Sequence, residues 1–189
     1  MKNFFFLIII IVVVGGGWFF LRLQEEGKTI LRFQIYQKYI LNDFGVHFAY
    51  PKNYFLVEKQ INTVSRRHFQ VTLLEDTPEN RLLVEGKLPG REGPPAITID
   101  TFQNNLDRYT GEDWIRRTSF SNFKLGNGVL EETLLGGEEA FAYSWSGLYE
   151  GRSVVRADEN NVYMFSVTYL APSDQIVKNF NSILQTVEF

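Results

Sequence analysis

The side chains able to do chemistry are few. Of 189 residues none is cysteine and two are histidine, His47 and His68. That excludes a thiolate nucleophile, a disulfide scaffold, a cysteine-ligated zinc or iron–sulfur centre and a lipid-modified cysteine. No G-x-S-x-G, phosphate-loop or H-E-x-x-H pattern is present. Ser144-Trp145-Ser146-Gly147 has no histidine near it in sequence. His47 is expected on the outward side of its strand. His68 follows Arg66 and Arg67, whose charge would disfavour its protonation if they lie close. Both read as ordinary surface or partly buried histidines. No catalytic residue, cofactor or metal is called for. Carboxylates remain. Asp100, Asp107, Glu112 and Asp113 fall on a strand end, a loop and the start of a helix, so they could converge on a divalent cation. Acids also gather at helix N-termini for capping and dipole reasons alone. Glu131-Glu132 and Glu138-Glu139 flank Gly136-Gly137. If their strands pair, they would crowd one hairpin tip, as a cation site or as a solvated, edge-protecting cluster.

What positions these residues begins with an apolar run. Phe4 to Leu21 holds no charged or polar side chain over 18 residues, bounded by Lys2 and Arg22. As a helix it spans about 27 Å, close to the hydrocarbon thickness of a bilayer. Trp18 lies near its C-terminal end, where an indole suits the interface. We expect a transmembrane anchor over 1–23 and a juxtamembrane connector over 24–38. The competing reading is a signal peptide cleaved at Gly15–Gly17. Cleavage there would leave Trp18-Phe19-Phe20-Leu21 as an exposed terminus. The cations Arg22, Lys28, Arg32 and Lys38 favour a cytoplasmic C-terminal side by the positive-inside rule. A short N-tail before an apolar run nevertheless resembles a signal-anchor, whose downstream domain is exported. We expect a single-pass membrane protein with an extracytoplasmic domain.

Residues 39–189 read as one α+β domain. Val46, Phe48 and Tyr50 alternate with His47 and Ala49, a strand with one face toward a core. Pro51-Lys52-Asn53 is a turn, and Tyr54–Val57 reads as the return strand. Further strands are expected at Phe69–Leu74, Arg81–Glu85 and Ala96–Phe102, with a Pro/Gly-rich loop at Leu88–Pro95. Thr110 caps a helix with Asp113 in an approximate capping box, and Trp114, Ile115 and Thr118 form its inward stripe. Gly126-Asn127-Gly128 is turn material. Val129–Leu135 and Glu138–Trp145 flank a Gly136-Gly137 hairpin turn. Arg152–Ala157 and Val162–Leu170 complete an antiparallel meander. Ser173 caps a last helix whose Ile176, Val177, Phe180, Ile183 and Leu184 make one stripe. The chain closes on a short strand, Thr186–Phe189.

One sequence of elements resembles a known family. It runs from Phe48-Ala-Tyr-Pro-Lys-Asn-Tyr-Phe55 through Asp113-Trp114 and Gly136-Gly-Glu-Glu-Ala-Phe-Ala-Tyr143. It continues with Val162-Tyr-Met-Phe-Ser-Val-Thr-Tyr169 and ends on Phe180-Asn-Ser-Ile-Leu-Gln-Thr-Val-Glu-Phe189. Residues 40–189 look like the PsbP-like superfamily, which includes bacterial membrane-tethered versions. The resemblance implies an α-β-α sandwich around an antiparallel sheet, a binding or scaffolding role, and no family-wide catalytic residues.

The charge balance points the same way. Removing residues 1–23 removes Lys2 and Arg22 and no acid, so the net charge falls from −3 to −5. Such a domain does not adhere to nucleic acid or anionic headgroups by charge alone. We expect a membrane-anchored, non-catalytic binding or accessory module. Its partners are the bilayer and another membrane or envelope protein. Contacts are expected on Arg91 and Glu92 of one loop and Leu148 and Tyr149 of another, since loops on a rigid sheet carry recognition residues. The alternative is a carboxylate-based metal-dependent enzyme or ligand-binding domain using Asp100–Asp113. The anchor makes a direct prediction. The full chain stays in the membrane pellet on alkaline carbonate extraction, whereas a chain lacking residues 1–23 is soluble, folded and monomeric. Release of the full-length chain into the supernatant rules the anchor out.

Overall fold

The computed structural model of the protein describes residues 36–61, 66–88, 90 and 92–189. The expected anchor, with Phe4, Trp18 and Leu21, lies outside the described residues, as does Arg91. Among the described residues no helix is long and apolar enough to cross a membrane. A compact unit covers Lys38–Phe189.

Seven strands form the main sheet. They are β3 (Tyr54–Gln60), β4 (His68–Glu75), β5 (Ile97–Gln103), β6 (Glu131–Leu135), β7 (Glu138–Ser146), β8 (Glu150–Ala157) and β9 (Asn161–Tyr169). The spatial order is β3-β4-β5-β9-β8-β7-β6, with every neighbouring pair antiparallel. β1 (Tyr36–Leu41) and β2 (Val46–Pro51) make a separate two-stranded sheet. Three helices are described: α1 (Pro78–Val84), α2 (Gly111–Arg117) and α3 (Gln175–Leu184). The class is α+β, as the order of strand and helix signals predicts.

Each face of the sheet has its own core. On the first face β2 and α3 pack over Val71, Leu73, Ile97, Ile99, Phe165 and Val167. Phe180 and Ile183 of α3 are fully buried, and Phe48 meets Phe165 edge to face at 5.9 Å. On the second face α2 contributes Trp114 and Ile115, and a 3-10 turn at Phe123–Leu125 contributes Phe123. These cover Phe102, Tyr143, Val155, Val162 and Met164. Within α2 the Thr110 hydroxyl accepts the Asp113 N–H at 3.1 Å, the cap that the sequence predicts.

Several expectations are corrected. Arg81–Glu85 belongs to a helix, not a strand. Thr77 Oγ1 accepts the Asn80 N–H at 3.2 Å, and Pro78 at the first helical position has its φ already set. None of that helix is buried, so no apolar stripe advertises it. Tyr54 does not begin a return strand against β2. It pairs with Glu75 in the main sheet, because Val46, Phe48 and Tyr50 are used to pack across that sheet, in its first core. The cap of α3 is Asp174, not Ser173. Its carboxylate reaches back to accept the N–H groups of Leu170 and Ala171 at 3.1 and 2.9 Å. The terminal strand reduces to one bridge, with His47 and Glu188 exchanging backbone hydrogen bonds at 3.0 Å.

The Gly136-Gly137 turn is as predicted, with φ of +61° and +83°. Leu135 pairs with Glu138, and Leu134 with Glu139. Glu131 and Glu132 instead sit opposite Ala142 and Phe141, so the four glutamates do not crowd the hairpin tip. The strand length between them separates the two pairs. The turn yields a graded prediction. A Cβ at Gly137 meets open space, while one at Gly136 comes within 2.6 Å of the Phe189 ring. Gly137→Ala then costs the positive-φ strain alone, about 1–2 kcal/mol, and Gly136→Ala costs more. Urea unfolding midpoints of the two variants check this. Equal midpoints for both and the parent refute it.

Candidate functional site

A cavity of about 390 Å³ opens on the second face of the sheet, beside the α2 core. Its floor comes from side chains that the register brings together. Asp100 lies opposite Gln70 and Met164, and Thr98 opposite Ser166. The strands that hold them are fixed from the other side, where Ile97, Ile99, Phe165 and Val167 are fully buried. At one end sits His68, only 7% exposed, its ring stacked on Phe102 with centroids 4.0 Å apart.

Asp100 is the centre of the polar set and is 3% exposed. Its Oδ1 accepts from Gln70 Nε2 at 2.9 Å and pairs with His68 Nε2 at 2.7 Å. The two arginines before His68 turn elsewhere: Arg66 pairs with Asp107, and Arg67 with Asp43 at 2.9 Å. A second polar chain runs under the opposite wall. Trp145 donates its indole N–H to Ser153 Oγ at 3.0 Å, and Ser153 and Ser166 hydroxyls are 2.8 Å apart. The indole lies against Gly151, where an added Cβ would come within 2.3 Å of it. Glycine there lets the ring lie flat along the sheet.

Phe120 and Asn122 form the wall beside α2. Ser121 between them is the anchor. Its hydroxyl donates to the Ile115 carbonyl at 2.8 Å, and its own carbonyl accepts the Tyr143 O–H at 2.6 Å. Asn122 takes a left-handed φ of +58°, a conformation that Asn tolerates better than most residues.

The expected contact loops come together. Tyr149 donates its O–H to the Gly93 carbonyl at 2.9 Å, tying the 146–150 turn to the 92–96 segment. Leu148 is 65% exposed, and Glu92 is exposed beside Gly93. The four carboxylates of the alternative reading are held by different partners. Asp100 belongs to the cavity and Asp107 to Arg66. Glu112 pairs with Arg116 at 2.8 Å, and Asp113 with Thr110 and Arg117. Among the described residues no group of three or more His, Cys, Asp or Glu side chains is placed to hold a metal ion.

Sequence reasoning missed the His68–Asp100 pair. The residues are 32 apart, and only the β4–β5 register joins them. The one available signal was an acid in the middle of the apolar strand Ala96-Ile-Thr-Ile-Asp-Thr-Phe102, on the face opposite Ile97 and Ile99.

The geometry defines an antiparallel α+β domain with a polar pocket on one sheet face. No family model matches the sequence and no curated protein matches it. The structure is similar to the solution structure of cyanobacterial PsbP (CyanoP) from Synechocystis sp. PCC 6803, with a TM-score of 0.53 and 12% sequence identity. The match covers 81% of this chain and 91% of that one. The fold is PsbP-like.

Tyr143 links this wall to pH. Burial is the main cause that pushes its phenol above the ordinary value of 10.0. A folded-state value raised above the unfolded one gives stability that is complete below the unfolded value and is lost as pH rises through the folded value. Stability therefore falls above about pH 10, and Tyr143→Phe flattens that fall. At neutral pH the same variant is weaker by about 1 kcal/mol, from the lost hydrogen bond to Ser121. Urea unfolding from neutral to alkaline pH checks both signs, and an unchanged alkaline slope refutes the assignment.

Proposed function

We propose that the chain is a membrane-anchored, non-catalytic binding or accessory module. Phe4–Leu21 serves as a single-pass anchor with Trp18 at the interface, and the α-β-α sandwich is held on the extracytoplasmic side. The cations Arg22, Lys28, Arg32 and Lys38 argue for the opposite orientation, so export rests on the signal-anchor likeness. The partner is another membrane or envelope protein. A domain charge of −5, from the overall −3 without Lys2 and Arg22, disfavours nucleic acid.

The observation that carries this reading is the Tyr149–Gly93 hydrogen bond. It turns two irregular segments into one preorganised surface and places the exposed Leu148 on it. A surface ordered before binding loses less entropy on association than two independent loops. The PsbP-like fold supports a scaffolding role through its shape alone.

Proximity crosslinking in native membranes tests the reading. Tyr149→Ala and a shortened 88–95 loop are each expected to lose at least one crosslinked species that the wild type forms. An unchanged set for both variants removes the loop surface. A turnover activity that stays with the purified full chain removes the non-catalytic claim.

A further inference from the structure

The pocket between Trp145 and Phe120 has a lining that folding does not require. A buried carboxylate–imidazole pair adds little or nothing to stability over apolar side chains of the same size. Here Asp100 is nine-tenths buried or more, and both of its hydrogen bonds land on Oδ1. Among the described residues no donor reaches Oδ2. Asp100 lines the cavity, and its second carboxyl oxygen is an acceptor that a ligand hydroxyl can use.

The remaining lining narrows the ligand's chemistry. Gln70, Thr98, Asn122 and Ser166 line the same cavity. Each can both donate and accept, the pattern that ligand hydroxyls match. Among the described residues no lysine or arginine lines the cavity, and its histidine, His68, is already paired with Asp100. Two aromatic surfaces complete it. The Trp145 indole lies flat against Gly151, and Phe120 is 49% exposed. A sugar ring has an apolar C–H face that packs on such planes and a rim of hydroxyls that bond sideways.

We propose that this pocket binds a neutral saccharide unit, with its C–H face on Trp145 and its hydroxyls on Asp100 Oδ2, Thr98 and Ser166. The volume of about 390 Å³ falls in the ligand-site range of roughly 300–1,000 Å³. The site borders the segments that the Tyr149–Gly93 contact joins, since Ala96 and Trp145 line it, but it takes a small molecule and is read by titration of the isolated chain, not by crosslinks to a partner protein. Its failure and that of the loop surface are therefore separable.

The test is a calorimetric titration of the full chain, held in a polyoxyethylene detergent that carries no sugar. The probes are glucose, N-acetylglucosamine and their β-linked disaccharides, with ethanolamine and choline as a cation arm. Saturable binding of at least one saccharide is expected. Asp100→Asn and Trp145→Phe should each weaken it about tenfold or more. Thr98 is half-buried, so Thr98→Val keeps the test open if Asp100→Asn fails to fold, and it too should weaken binding. Three results overturn the proposal: no saccharide bound at tens of millimolar, saccharide binding unchanged in the folded variants, or binding of the amines alone.

Discussion

Burial of β9 on both faces is the constraint on which the rest of the domain depends. Every residue from Val162 to Val167 is buried. Tyr163, Phe165 and Val167 face one core, while Val162 and Met164 face the other. A strand covered on both sides must lie inside its sheet, with neighbours to take its hydrogen bonds and layers to exclude water. β5 and β8 supply the neighbours. The layers are β2 with α3 on one side and α2 with the Phe123 turn on the other. Fully burying a side chain such as Phe165 or Val167 is worth about 1.5–3 kcal/mol each. The covering elements must therefore hold their places or the strand is lost.

The two faces are covered differently, and that difference makes the site. The first face is sealed by aromatic and aliphatic packing, with Phe48, Phe165, Phe180 and Ile183 at its centre. On the second face α2 is only seven residues long. It seals the end marked by Phe102 and Val162. Further along, the same strands present Gln70, Thr98, Asp100 and Ser166 around a cavity. Rigidity from the sealed side is what lets these polar groups keep fixed positions. A constellation on strands is held more tightly than one on loops.

Hydrogen bonds between single polar side chains and backbone groups hold two further segments. Asn104 donates to the Tyr109 and Asp158 carbonyls at 2.9 and 2.7 Å and accepts from Tyr109 N–H at 3.0 Å. One buried amide so joins the segment before α2 to the β8–β9 turn. Ser121 does the same for the cavity wall. Neither residue stands out by type or spacing, because its value lies in carbonyls that come from other elements.

The sequence by itself determined whatever depends on neighbours along the chain. Gly136-Gly137 dictates a tight turn, since few other residues accept positive φ at both positions. Thr110 and Asp113 start a helix, and Phe180, Ile183 and the residues flanking them make its successor amphipathic. The alternation in Val162–Tyr169 marks a strand. Local rules failed where the signal was shared or hidden. Leu82, Leu83 and Val84 read as strand because α1 buries nothing and shows no period. Ser173 and Asp174 are both good caps, and only the reach of Asp174 to Leu170 and Ala171 decided between them. Tertiary structure alone decided which strands are neighbours. It moved Tyr54–Gln60 away from β2, separated the glutamate pairs of the β6–β7 hairpin, and set His68 beside Asp100. Register is a long-range quantity: it comes from which faces must be buried together, and no spacing within one strand encodes its partner.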